Sequence, residues 1–117
     1  MAIRWIQHQG KKVLQCDFRG MNLTQSLTEL EEATRLISRC HDDVLLISNF
    51  EGVNVDHRFA THAYDLGKAL LRHRIQKVAV VGIESIKFVM REAFKAIAGK
   101  HPSFFQTERE ALTWLVD

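Results

Sequence analysis

The stretch from Asp43 to Arg74, DVLLISNF-EGVNV-DHRFATHAYDLGKALLRHR, decides how this chain is read. Val44-Leu45-Leu46-Ile47 is an unbroken apolar run, the pattern of a strand covered on both faces as in a parallel sheet. Gly52 and Asn54 break the run, and Asp56 is a good N-cap for a helix. Beyond it Phe59, Ala63, Leu66 and Leu70 recur at helical spacing, with Ala60, Gly67 and Leu71 in a parallel row whose small members let the helix lie close to a sheet. Lys77-Val78-Ala79-Val80-Val81-Gly82 is a second apolar run. Strand, helix, strand at this spacing predicts a right-handed βαβ crossover.

Working outward, Ile3 to His8 and Lys12 to Phe18 are strand candidates joined by a hairpin turn at Gln9-Gly10-Lys11, which puts an antiparallel strand at one edge. Leu14, Cys16 and Phe18 share one face of the second strand, and Val13, Gln15 and Asp17 the other. A first helix is predicted from about Thr24 to Arg39, with Leu23, Leu27, Leu30, Ala33, Ile37 and Cys40 as its apolar stripe. Ser26 with Glu29, or Thr28 with Glu31, has the spacing of a capping box, and Glu31 with Arg35 that of an i,i+4 ion pair. A third helix is predicted from about Ser85 to Ala98, closed by Gly99 and Pro102. Ser103 to Gln106 reads as a last strand. Thr107 and Glu110 read as a capping box that opens a closing helix, with Ala111, Leu112 and Leu115 turned inward and Trp114 beside them. The expected order is ββαβαβαβα: one α/β domain over residues 1–117, a mostly parallel five-stranded sheet with an antiparallel edge strand, and four helices.

The segment GVNVDH after VLLISNF resembles the switch segment of the STAS family, the sulphate transporter and anti-sigma antagonist domains. There a strand leads through a Gly-Val turn to an Asp-Ser pair that opens the next helix. Gly52-Val53 and Asp56 match once one residue is dropped between them, and His57 stands where the phosphorylatable serine belongs. The layout is more closely similar to the small bacterial SpoIIAA-like proteins, which lack that serine and mostly have no assigned function. The resemblance implies a non-enzymatic regulatory or interaction module, docking a protein partner or a second copy of itself through Gly52 to Thr61.

Composition narrows the alternatives. Sixteen basic against 14 acidic side chains leave a net charge of +2, too balanced to argue for nucleic acid as partner. No apolar run approaches the roughly 20 residues of a membrane span, and the N-terminal residues carry no apolar signal core. Cys16 in a strand pattern and Cys40 at a helix end read as reduced thiols, and a cytoplasmic protein is expected.

Site chemistry is sparse. His57 and His62 stand about 140° apart around a helix and cannot share an ion from its body, while His62 and Asp65 share a face but supply only two ligands. No metal site and no cofactor is expected. There is no nucleophile elbow and no phosphate-binding glycine loop. Ser85 opens a helix as an N-cap, and an enzyme would have to rely on Asp56, His57 and Asp65. The helix starts at Asp56 and Ser85 both fall at the carboxyl edge of a parallel sheet, where ligands usually bind. The candidate binding residues are therefore Gly52, Asn54, Asp56, His57, Arg58, Thr61, Ser85 and Phe88, the last beside a basic row of Lys87, Arg91 and Lys95. An alternative function is carriage or sensing of a small apolar or lipid-like ligand in a cavity lined by Phe50, Phe59, Phe88 and Phe94. A homodimer is expected because a half-apolar edge strand and exposed aromatics call for cover.

Overall fold

The computed structural model describes residues 2–53, 57–70 (backbone alone for 66–70), 75–82 and 102–117. The elements are β1 (Ile3–His8), β2 (Lys11–Asp17), α1 (Leu23–Ser38), β3 (Val44–Asn49), α2 (His57–Leu70), β4 (Ile75–Val81), β5 (Ser103–Phe105) and α3 (Glu108–Val116). They form an α/β fold on one mixed five-stranded sheet in the order β1-β2-β3-β4-β5. β1 pairs antiparallel with β2, and every later neighbour is parallel. The hairpin turns through Gln9 and Gly10, both at positive φ, as a two-residue turn matching the strand twist requires. The expected edge strand and parallel crossovers are thus present. Three helices lie among the described residues, and the fourth expected helix, from about Ser85 to Ala98, falls outside them.

Each face of the sheet carries its own core. Leu14, Cys16 and Phe18 of β2 and its continuation, with Leu46, Val78 and Val80, pack against α1 and α2. Val13, Leu45, Ile47, Ala79 and Val81 pack against Ala111, Leu115 and Val116 of α3. All six residues of β3 are buried, which is why Val44 to Ile47 are apolar without alternation. Ala60 and Ala63 of α2 are buried beside Phe59, so the small side chains bring that helix onto the sheet as its pattern implied.

Two local readings are corrected. α1 begins at neither capping box proposed from sequence. Asn22 is the N-cap, accepting from the Gln25 backbone N–H at 2.8 Å while the Gln25 side chain accepts from the Asn22 N–H at 2.9 Å. Arg35 pairs with Glu32 at 2.6 Å rather than with Glu31. The physical reason is that Glu31 faces α2 and meets His62 at 3.4 Å. The start of α3 agrees with its sequence: Thr107 accepts from the Glu110 N–H at 3.2 Å and returns its hydroxyl to the Glu110 carboxylate at 3.0 Å.

Candidate functional site

The carboxyl edge of the sheet is knitted together beyond the strands. The Phe18 N–H donates to the Asn49 carbonyl at 2.9 Å, Phe50 to Val81 at 2.8 Å, and Gly82 to Phe105 at 3.1 Å. The β3–α2 turn starts on this ledge. Val53 N–H closes it onto the Phe50 carbonyl at 2.9 Å, and Gly52 takes φ +73°. Gly82 lies directly beneath: a Cβ there would stand 2.6 Å from the Glu51 Cα. The approach admits only glycine, because the opposing atoms are backbone.

Under the turn, Phe18 and Phe50 stack with centroids 4.7 Å apart, and Phe59 of α2 meets both edge-on at 5.6 and 5.4 Å. These three rings pin the first turn of α2 to the end of β3, and each is at most 3% exposed. Phe50 and Phe59 therefore fill the core. The space left among the residues around them is about 30 Å³, room for about one water. Phe88 and Phe94, the other expected lining residues, lie outside the described residues.

α2 shows its outer face at the same edge. His57, Arg58, Thr61, His62 and Asp65 border one shallow, open depression of about 330 Å³. Of the residues proposed from sequence, Gly52, His57, Arg58 and Thr61 are exposed here, and Asn54, Asp56, Ser85 and Phe88 lie outside the described residues. His57 and His62 border the same depression despite their angular separation, but no group of three potential metal ligands exists among the described residues.

On the α3 side of this edge is a polar chain that sequence reading missed. Arg4 Nε donates to Gln15 Oε1 at 2.9 Å, Gln15 Nε2 donates to Glu108, and Asn49 Nδ2 donates to Glu108 Oε2 at 3.2 Å. Asn49 Oδ1 accepts the Glu51 N–H at 3.0 Å, at the first residue of the β3–α2 turn. Close by, Arg19 grips Asp17 through two side-chain bonds of 2.9 and 2.8 Å. That guanidinium holds the Asp17 carboxyl below the usual carboxylate range, and Asp17 in turn raises the Arg19 pKa. Polar residues scattered over β1, β2, β3 and α3 offer no sequence spacing from which such a chain could be read.

A second depression, of about 470 Å³, opens at the opposite, amino-terminal edge of the parallel strands, between the end of α1 and the β1–β2 hairpin. None of the residues proposed from sequence lies there.

No protein-family model matches this chain, and no curated protein matches it. Among solved structures it is similar to an uncharacterised protein of the DUF3478 family from Shewanella loihica PV-4, described as having a SpoIIAA-like fold. The TM-score is 0.64 over 97% of this chain and 92% of that one, at 16% identity. The likeness shows a SpoIIAA-like fold, in agreement with the resemblance drawn from the order of the elements along the chain. Among the described residues no helix is long and apolar enough to cross a membrane.

Proposed function

We propose that the chain is a non-enzymatic interaction module that docks a protein partner, or a second copy of itself, through the β3–α2 turn and the outer face of α2. The observation that carries this reading is the contrast between surface and support. The face formed by His57, Arg58, Thr61, His62 and Asp65 is open and shallow, so it encloses no small molecule. The turn and helix beneath it are held by the Phe18–Phe50–Phe59 stack and by the ledge of backbone bonds. A rigid, polar, open face suits contact with another macromolecular surface, where preorganisation limits the ordering cost. With His57 in place of a serine, such docking would not be governed by serine phosphorylation at that position.

The test is a photo-crosslinking residue placed at Thr61, with a second at Arg109 on α3 as control. A defined adduct formed from Thr61, absent from Arg109 and abolished by Arg58→Glu, supports docking at this face. Equal adducts from both positions, or none from either, would sink it. The mass of the adduct separates a foreign partner from a second copy.

A further inference from the structure

The depression at the amino-terminal edge is built from residues that play no part in the docking face. Its apolar wall is Trp5, Leu36 and Val44, and its rim carries Lys12, Arg39, Asp42 and Asp43. Its volume of about 470 Å³ lies within the range of small-molecule pockets. Trp5 is half-buried, with one part of its ring packed on the α1–α2 core, and Lys12 Nζ stands 4.4 Å from its ring centroid, so the indole and a cation meet at the wall of the depression. Arg39, Asp42 and Asp43 are exposed and form no ion pair among the described residues. The Leu36 and Ile37 carbonyls are already taken by the Arg39 and Cys40 N–H groups, at 3.3 and 3.0 Å. The end of α1 therefore offers its negative dipole rather than bare acceptors.

The charges on the rim select a chemical class. Lys12 and Arg39 are matched one for one by Asp42 and Asp43, with His41 between them in the chain. A polyanion such as a nucleotide phosphate would meet both carboxylates and the negative helix end. A polyamine would meet both cations. A small dipolar molecule satisfies both signs at once, its carboxylate on a rim cation and its ammonium on a rim carboxylate. An apolar or aromatic stem would then lie against Trp5, Leu36 and Val44. We infer that this depression binds a free α-amino acid with an apolar or aromatic side chain. The inference stands independently of the docking face, at the other end of the sheet.

The probe is L-phenylalanine, titrated calorimetrically into the full chain and followed by Trp5 fluorescence in a Trp114→Phe background. Two analogues, 3-phenylpropanoic acid and phenethylamine, each lack one charged group. L-phenylalanine is expected to bind and to change the Trp5 signal, with each analogue roughly tenfold weaker or more, the loss of one charge-assisted contact. Arg39→Gln should weaken the amino acid and the acid but spare the amine, and Asp43→Asn should do the reverse. Both positions are exposed, and an unchanged circular dichroism spectrum checks that the variants fold. The idea is overturned if none of the twenty amino acids gives heat or a Trp5 change at millimolar concentration. It is overturned equally if the acid or the amine alone binds as tightly as the amino acid, or if Arg39→Gln and Asp43→Asn together leave binding untouched.

Discussion

Asn49 and Glu108, 59 residues apart, meet through an Asn49 Nδ2 to Glu108 Oε2 hydrogen bond of 3.2 Å that ties the first turn of α3 to the end of β3. Asn49 is 2% exposed, and its other amide atom holds the Glu51 N–H. One buried amide thus couples the helix on one face of the sheet to the turn that leads to the other face. Replacing it by leucine leaves the turn N–H and part of the Glu108 carboxylate unpartnered. A loss of about 1–3 kcal/mol is expected in urea denaturation. Asn49→Asp should be worse at neutral pH, because it sets a second carboxylate against Glu108, and should recover part of the loss on acidification as the introduced carboxyl, disfavoured as an anion by its neighbour, protonates. Equal stability of the leucine variant and the parent would show that the amide is dispensable.

Gly82 should tolerate no side chain. Gly82→Ala combines φ +84° with a Cβ 2.6 Å from the Glu51 Cα, so the β3–α2 turn must move. The strain exceeds the ordinary penalty of about 1 kcal/mol for a left-handed alanine. Gly52→Ala makes the control: its φ of +73° is similar, but nothing lies within 4 Å of the added atom. Thermal unfolding of the pair should rank Gly82→Ala well below Gly52→Ala. Equal melting points would refute the packing account.

The two thiols should differ in reactivity. Burial, with the Glu29 charge behind it, pushes the Cys16 pKa up to about 12. Cys40 is half-buried at the end of α1. A thiol reagent at pH 8 should label Cys40 in the native protein and reach Cys16 only on unfolding. Because the folded pKa of Cys16 is raised, its contribution to stability is complete below the unfolded value of about 8.5 and is lost as pH climbs toward about 12. Cys16→Val should flatten that alkaline loss.

Asp17 carries the opposite dependence. Its pKa is lowered, first by the hydrogen bond from the Arg19 side chain, so the stability it adds is present above the ordinary carboxylate range near pH 4. It fades as pH falls through the folded value. Both side chains are substantially exposed, so the contribution is small. Arg19→Gln should move the Asp17 titration, followed by NMR, upward toward its ordinary value. An unmoved titration would rule out the guanidinium as the cause.

Lys77 closes the last helix. Its ammonium donates to the Trp114 and Asp117 carbonyls at 3.1 and 3.2 Å and stands 4.9 Å from the Trp114 ring centroid. Lys77→Met keeps the apolar stem but removes the cation from the negative helix end. It should cost about 1 kcal/mol and speed amide exchange in the last turn of α3, with little effect on β4.

Much of this fold was legible in the chain. The unbroken apolar run of β3, the Gln9-Gly10 turn, the Thr107 cap and the alternation of strands with helices each rest on a local rule. Each rule depends on residues a few positions apart, so their identities alone settle it. What only the tertiary structure decided depends on which distant residues meet. Between β3 and β4 the register slips at Val44 and Leu45, so Ile75 faces the α1–α2 core together with Val78 and Val80, while Lys77 turns to α3. Strict alternation would have placed Ile75 and Lys77 on one face. Asn22 displaced two equally well-spaced capping boxes: the turn closed by the Met21 N–H on the Phe18 carbonyl delivers the chain to Asn22, and the helix starts directly after it at Leu23. The Asn49–Glu108 bond, the Gly82–Glu51 contact and the charged rim around Trp5 likewise join residues with no periodic relation in sequence. A hydrogen bond or a steric contact acts over a few ångströms, and folding alone determines which residues come that close.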